Sequence, residues 1–385
     1  MTTTRNAVVV GAGIGGLTTA VALRRRGWDV TVLERAPSLE PVGAGIALAP
    51  NAVRALATTG VGDRVHELAA LQGPVGIRRP DGDWLVRGDA AMAGEAATVL
   101  LHRARLVSLL TDELPDASLR LGVEVVGVDP GGPDKPATVT TGAETWSADL
   151  VVAADGIDSP ARAALFPDHP GPVYSGATAW RFVTDRPVIV QPAETWGRGA
   201  VVGLTPLADG RVYGYLTATL PERTRFDDEL GELRRRFADW HDPLPALLAA
   251  LRPDQVLHHD LRWLRTPLAR YHVERVALVG DAAHAMPPNL GQGGAQAIED
   301  AVVLASVVAD AGTEQLSAAL ASYTDRRRDR TRRIARTSAR IGRMTTWRSP
   351  TAVRLREVGM RAAGRWALPR AARRLDGILG WQPPA

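Results

Sequence analysis

Hydrophobic and polar positions along this chain follow two rhythms, and their order predicts the architecture. Asn6–Val10 is a short apolar, β-branched run, and Asp29–Leu33 repeats it, so both read as buried strands. Between them, Ile14–Arg26 sets Leu17, Val21 and Leu23 at helical spacing. Strand, helix and strand in this order form a crossover unit of a parallel sheet. Thr98–Leu101 reads as a strand and Arg103–Leu114 as a helix. Residues 118–149 read as a β-meander with turns at Gly131-Gly132-Pro133 and Thr141-Gly142, and Leu150–Ala153 is another buried strand. From about Ala177 to Thr219 the rhythm becomes that of antiparallel strands, clearest in the alternation of Arg211–Thr217. Helices are predicted over Asp227–Asp239 and Leu244–Leu251, a buried strand over Arg275–Val279, a helix from Gly293 to Ala311, and mainly helix beyond Gln315.

The pattern predicts one sheet-and-helix domain that is interrupted by an antiparallel sheet and then completed. The boundaries fall so that residues 1–72, 97–175 and 272–345 make the first domain, 73–96 and 176–271 the inserted sheet, and 346–385 a set of C-terminal helices. There is neither an internal repeat nor a low-complexity linker. A length of 385 residues suits two interlocked domains, and a hydrophobic share of 45% with 23% charged residues is ordinary for a globular chain.

The absence of cysteine excludes disulfides, thiolate metal sites, cysteine nucleophiles and redox dithiols. Lys135 is the single lysine, which leaves little room for Schiff-base chemistry or a P-loop. The net charge of +4 is modest, and the clusters Arg326-Arg327-Arg328 and Arg332-Arg333 read as the solvated face of a helix rather than a nucleic-acid surface. Ala7–Leu23 mimics a secretory leader, but Gly11, Gly13, Gly15 and Gly16 fit a strand–turn–helix and not a leader. With no other long apolar stretch, the expectation is a cytoplasmic protein without a membrane span. His258-His259-Asp260 could suggest a metal, yet neighbours on a strand point to opposite faces, so no metal site is expected.

Candidate chemistry begins at Val8-Val9-Val10-Gly11-Ala12-Gly13-Ile14-Gly15-Gly16, a G-x-G-x-x-G between strand and helix. Gly11 allows the tight turn, Gly13 lets the backbone approach a pyrophosphate, and Gly16 lets helix pack on strand. Glu34 ends the second strand eighteen residues after Gly16, where a carboxylate accepts hydrogen bonds from an adenosine ribose. A dinucleotide is therefore expected. Two further stretches separate flavin from nicotinamide. Leu278-Val279-Gly280-Asp281-Ala282-Ala283-His284 precedes Met286-Pro287-Pro288 and Gly291-Gln292-Gly293-Gly294-Ala295. Val151 to Asp155 ends a strand in Asp155-Gly156, with Ser159 and Arg162 beyond.

On these three motifs the chain, from Val8 to roughly Arg330, resembles the single-component (group A) FAD-dependent aromatic monooxygenases of the para-hydroxybenzoate hydroxylase fold. It is similar to the salicylate, 3-hydroxybenzoate and urate hydroxylase-like members. Gly43-Ala44-Gly45-Ile46 and Pro50-Asn51-Ala52 resemble the flavin-facing loop, and His102-Arg103 the position of an FAD-contacting arginine. The resemblance implies an α/β fold: a Rossmann-like FAD-binding domain of the GR2 type, interrupted by an antiparallel substrate domain, with a helical C-terminus. It implies that Gly11, Gly13, Gly15 and Gly16 hold the pyrophosphate and Glu34 the ribose. Arg35, Gly45 and Arg103 would line the cofactor, Asp155 would belong to a motif shared by FAD and NAD(P)H, and Asp281 would take the ribityl side. Pro288, Gly293 and Gly294 would lie beside the flavin ring.

The activity implied is hydroxylation of an aromatic or polyketide-like small molecule with NADPH or NADH and O2, through a flavin C4a-hydroperoxide, with FAD held non-covalently. The protein's part is to position the substrate and exclude water. No second G-x-G-x-x-G is present, which agrees with transient NAD(P)H binding. Substrate contacts are expected from the inserted sheet, with Trp180, Trp196 and Tyr213 as its wall and Arg181, Arg198 and Tyr215 as chemical groups. An arginine could bind a carboxylate or phenolate, and Tyr215 could relay a phenolic proton. Tyr213 and Tyr215 share a strand face, as do Trp196 and Arg198 by the same period. His284 reads as structural. Epoxidation, Baeyer–Villiger oxidation, or a flavin-binding regulator without substrate stay open, as do monomer and homodimer.

Overall fold

The computed structural model describes residues 5–39, 45–68, 74–89, 98–366 and 377–384. Gly43 and Ala44 of the predicted flavin-facing loop lie outside the described residues.

The first domain is built on a six-stranded sheet. Its strands are β1 (Asn6–Val10), β2 (Asp29–Glu34), β7 (Leu119–Leu121), β11 (Leu150–Ala153), β17 (His272–Val273) and β18 (Val276–Leu278), in the order β17-β18-β11-β1-β2-β7. All pairs are parallel except β17–β18. Both faces are covered, which explains why its central strands are apolar throughout. Ala7 and Val9 point to the side of helices α1 (Ile14–Arg24) and α9 (Gly293–Val307), whereas Val8 and Val10 point to the opposite side. There they meet Ala137, Val139 and Ala148 of a three-stranded sheet made by β8 (Val125–Asp129), β9 (Ala137–Thr141) and β10 (Thr145–Ala148). Helix α1 is buried nearly all round because it is wedged between β-sheet and α9; small residues permit this, with a methyl on Gly15 already 3.2 Å from Ala297 Cβ. Two-stranded β3 (Gly45–Leu48) and β6 (Val99–His102), with helices α2 (Pro50–Ala57), α3 (Gly62–His66), α4 (Arg103–Thr111) and α5 (Pro160–Leu165), complete this half.

The inserted sheet has seven strands in the order β16-β12-β15-β14-β13-β4-β5. They are β4 (Pro74–Arg78), β5 (Trp84–Asp89), β12 (Val173–Val183), β13 (Ala193–Trp196), β14 (Ala200–Pro206), β15 (Val212–Ala218) and β16 (Leu257–Trp263). Strand β15 alternates strictly, burying Val212, Gly214, Leu216 and Ala218 and turning Tyr213, Tyr215 and Thr217 the other way. The buried face packs on helices α6 (Glu229–Arg236) and α7 (Leu244–Ala250) through Trp180, Phe182, Leu216, Leu233 and Leu247. Its other face looks toward the first domain.

The short helix α8 (Asp281–His284) follows β18, and the chain ends in α10 (Leu316–Thr345), of 30 residues, and α11 (Pro350–Trp366). The arginine cluster on α10 is not the uniformly solvated face its sequence suggests. Arg327 is 0% exposed, because it shares one helix face with the buried Tyr323, Thr324 and Thr331, three and four residues away, and that face packs on α9. No helix among the described residues is long and apolar enough to cross a membrane.

Candidate functional site

At the end of β1 the chain turns sharply. Gly11 has φ +102°, and a Cβ there would lie 2.5 Å from the Ala154 carbonyl oxygen; a Cβ on Gly16 would lie 1.9 Å from the Gly11 oxygen. These two glycines are required by packing within the protein. Gly13 is different: its φ of −70° suits any residue, and a Cβ there meets nothing within 4 Å. Its open side lies at the start of α1, where the first-turn amides lack helical partners and no acidic side chain competes for them. The arrangement sets free amide donors beside open space, which suits an anion.

Glu34 faces this turn. Its carboxylate accepts the Ala12 amide at 2.7 Å and the Ala36 amide at 2.9 Å, which aim it while leaving lone pairs on each oxygen. With Arg35, Val125, Asp155 and the glycine turn it lines a cavity of about 220 Å³. Asp155 accepts the Ala161 amide at 3.0 Å with one oxygen, while the other is buried and has no partner. Burial pushes this carboxyl above the ordinary range, against the pull of Ser159, the Ala161 amide and Arg162. Such an oxygen wants a donor. Arg162, itself buried, bonds the carbonyls of Ile157 and Ala282 and so ties the Asp155 turn to the turn after β18.

A second cavity, of about 760 Å³, runs from Gly13 and Gly15 past Gly45, Arg103, Asp281, Pro288, Gly293 and Gly294 to the open face of the inserted sheet. Gly280, at φ +59°, makes the corner and donates its amide to Asp300 at 2.9 Å. Asp281 is surrounded by protein on most sides but is exposed to the cavity, where its free surface lies. Burial raises its carboxyl, and His284, Arg103, Arg162 and Arg181 oppose that shift. Helix α9 begins at Gly293 with no acidic residue in its first turn, so a second helix start opens on this cavity. Behind it lies a polar network that sequence reasoning missed. Arg327 bonds Asp300 at 2.6 Å, Glu299 and the Gln296 side chain; Arg330 bonds both Glu299 oxygens; Asn51 bridges Gln292 and Glu299. His284 meets Asp300 at 2.5 Å, so its position is structural. Burial alone would raise the Asp300 carboxyl, but the charges of His284 and Arg327 hold it below the usual range. No spacing rule announces such contacts, since they join α2, α9 and α10.

On the sheet side the cavity is lined by Ala179, Arg181, Glu194, Trp196, Tyr213 and Tyr215. Tyr213 packs on β3 so closely that a Cβ on Gly45 would lie 2.5 Å from its ring. Tyr215 lies across Gly203 and donates its hydroxyl to Glu194, whose other oxygen accepts the Trp196 indole N–H at 2.8 Å. Burial, followed by the Glu194 charge, drives the Tyr215 hydroxyl well above its ordinary value, so it stays protonated. Glu194 was not foreseen; its i+2 relation to Trp196 was the available signal. From α10, Ile341 and Thr345 close a third side.

Two expected residues do not reach the cavity. Trp180 is 0% exposed on the other sheet face, stacks on His258 and donates to Glu229 at 2.6 Å, because strand alternation puts it opposite Ala179 and Arg181. Arg198 is exposed and donates to the Arg348 carbonyl at 3.2 Å; β13 ends at Trp196, and the turn through Gly197 and Gly199 breaks the period that would have paired them. The remaining expected residues line one of the two cavities except Gly16, which packs behind the turn.

Two neighbouring cavities that share Gly13, Ala154 and Gly156, a helix start opening on each, and an orphaned Asp155 oxygen in the first fit a molecule with a pyrophosphate in its middle and an extended ring at its far end. The site thus defines an FAD-dependent oxidoreductase. The FAD binding domain family matches residues 4–338, and the chain belongs to that family. Among curated relatives, the aurachin C monooxygenase/isomerase of Stigmatella aurantiaca is 38% identical over 369 residues, covering 94% of this chain and 95% of that protein. The 2-heptyl-3-hydroxy-4(1H)-quinolone synthase of Pseudomonas aeruginosa is 34% identical over 379 residues, 95% of each. The crystal structure of Klebsiella pneumoniae HpxO complexed with FAD and uric acid matches with a TM-score of 0.85 at 29% identity, covering 93% of each chain. This chain is an FAD-dependent monooxygenase.

Proposed function

We propose that this enzyme hydroxylates a planar, fused nitrogen heterocycle, using NAD(P)H as a transient reductant and O2 as the oxygen source. The observation that carries the reading is the 760 Å³ cavity, which joins the glycine turns after β1 and β18 to the polar face of the inserted sheet. Bound FAD supplies redox chemistry and activation of O2. The chain's own residues do the rest. Gly11, Gly13, Gly15 and Gly16 shape the pyrophosphate seat, Glu34 and Arg35 receive the adenosine end, and Asp155, Asp281 and Arg103 hold the middle of the cofactor. Pro288, Gly293 and Gly294 border the flavin ring, and the amides at the start of α9 stabilise negative charge that develops there. Trp196 and Tyr213 form an aromatic wall, while Arg181 and Tyr215 offer a cation and a hydroxyl to the substrate. Helix α10 and the β3 strand keep bulk water from the reacting carbon.

Two relatives support the ring class: one is named a 2-heptyl-3-hydroxy-4(1H)-quinolone synthase, and HpxO was crystallised with uric acid. Both molecules are flat, bicyclic and carry ring N–H and C=O groups. Discontinuous cofactor and substrate domains, with 73–96 and 176–271 in the latter, belong to this reading. The test is NADH and NADPH oxidation by FAD-loaded protein with a panel of quinolones, purines and phenols. One class should stimulate consumption and give a product one oxygen heavier, labelled from isotopic O2. FAD bound with no labelled product from any member would mark a regulator instead.

A further inference from the structure

The chemistry-bearing side chains of the inserted sheet stand in a single transverse row. Arg181 on β12 is the direct partner of Tyr215 on β15, Tyr215 of Gly203 on β14, and Gly203 of Glu194 on β13. Residues in register across adjacent strands share a face, and strands lie about 4.8 Å apart, so the row spans roughly 14 Å from Arg181 to Glu194. Gly203 is the bare position that lets the Tyr215 ring lie flat across its strand; a Cβ there would stand 2.2 Å from the ring. The ring therefore reaches over Gly203 and delivers its hydroxyl to Glu194.

The hydrogen-bond polarity of the row follows. Both Glu194 oxygens are engaged, one by the Tyr215 hydroxyl and one by the Trp196 indole, and Glu194 has no ion pair among the described residues. Because the Tyr215 proton points at Glu194, the lone pairs of its oxygen are what it can present to the cavity. The middle of the row is consequently an acceptor. Arg181 lines the same cavity at the far end, with no ion pair among the described residues, and offers donors and positive charge. A ligand matching both ends carries an N–H or O–H donor on one side and an oxygen that can take negative charge on the other.

We propose that Glu194 is the proton acceptor that sets this enzyme's specificity, acting through Tyr215 to select and deprotonate a ring N–H or O–H of the substrate. The inference rests on the reading that an aromatic ring is oxygenated in this cavity. The step is a balanced double transfer. The substrate proton moves to the Tyr215 oxygen as the Tyr215 hydroxyl proton moves to Glu194, leaving tyrosine neutral, Glu194 protonated and the negative charge on the substrate. Delocalised to the substrate oxygen, that charge meets Arg181, and the ring carbons between become electron-rich, which is what attack by an electrophilic oxygen requires. A carboxylate in place of the donor would face Glu194 with like charge, so simple benzoates should be poor ligands.

The test uses the FAD-loaded enzyme and two probes, 2-heptyl-4(1H)-quinolone and its N-methyl analogue, which lacks the N–H. Affinities are measured by calorimetry, with kcat/KM followed against pH for any probe that turns over. Wild type should bind the N–H probe at least roughly tenfold tighter than the N-methyl probe, the size expected when a buried acceptor loses its donor. Glu194→Gln should bring the two affinities within about twofold and lower kcat/KM for the N–H probe, and Tyr215→Phe should do the same. Retained FAD and an unchanged melting temperature show that Glu194→Gln is folded; the wild-type comparison needs no variant. Equal affinities in wild type, a preference that survives Glu194→Gln, or no binding of either quinolone overturns the proposal. An N–H preference without an oxygenated product overturns the hydroxylase reading alone.

Discussion

The three fingerprint glycines make separable predictions, and Gly13 against Gly16 is the sharpest pair. In the apoprotein, Gly13→Ala has little to disturb. Its φ of −70° and ψ of 177° suit alanine, and the new methyl meets nothing within 4 Å. Restricting the unfolded chain stabilises by about 0.4–1 kcal/mol. Alanine is a poorer N-cap than glycine by a similar amount, so the net change should stay within about 1 kcal/mol. Gly16→Ala puts a methyl 1.9 Å from the Gly11 carbonyl oxygen and 3.2 Å from Ala154 Cβ. Both neighbours belong to central strands or the turn itself and cannot swing aside, so overpacking of about 1–3 kcal/mol or more is expected. At about 2 °C per kcal/mol for a chain of this size, apo Gly13→Ala should melt within about 2 °C of wild type and apo Gly16→Ala about 2–6 °C lower. The order reverses in what FAD adds. The Gly13 methyl fills the open space beside the amides, and losing one charge-assisted amide bond, about 1.5–3 kcal/mol, weakens FAD roughly ten- to a hundredfold. Thermal melts of apoprotein and FAD titrations read both quantities. If Gly13→Ala binds FAD as tightly as wild type, or destabilises the apoprotein as much as Gly16→Ala, the assignment of that space to a phosphate is wrong.

Other outcomes follow from the same geometry. Arg327→Met strips the counter-charge that Glu299 and Asp300 share, leaving them to Arg330 and His284; with both carboxylates fully buried it should cost about 3–5 kcal/mol, seen as a fall in the urea midpoint, and an unchanged midpoint would show the network to be idle. Burial raises the Asp155 carboxyl in the folded state, so its stabilising contribution is present below the ordinary carboxylate range and lost as pH rises through the raised folded value. Asp155→Asn should therefore lose less apoprotein stability than wild type as pH rises from about 4 to 7, while holding FAD more weakly; identical pH slopes would refute the reading. Trp180→Phe, which breaks the indole bond to Glu229, should lower stability by about 1–2 kcal/mol with substrate KM unchanged, and Arg198→Ala should change neither; a KM shift in either variant would return that residue to the site.

Much of this was legible from the chain because it depends on neighbours in sequence. The βαβ opening, the G-x-G-x-x-G turn and Glu34 at the end of β2 are set by spacings of a few residues, and the structure assembles them as spaced. The period of two on β15 likewise set Tyr213 and Tyr215 on one face without any knowledge of what that face meets. What spacing cannot say is which face looks at the ligand. Trp180 and Arg181 are adjacent in sequence and opposite in fate, because α6 and α7 cover one side of the sheet and the cavity lies on the other. Arg198 left the site because a strand ended two residues earlier than its period assumed. Glu194 acquired chemical meaning only when β14 brought Gly203 between it and Tyr215, and Arg327 became a buried cation only when α10 lay on α9. Local sequence determined the turns and the alternation, which follow from backbone sterics. The burial of charges and the membership of the cavity were decided by tertiary packing, because desolvation and hydrogen-bond partners depend on elements distant along the chain.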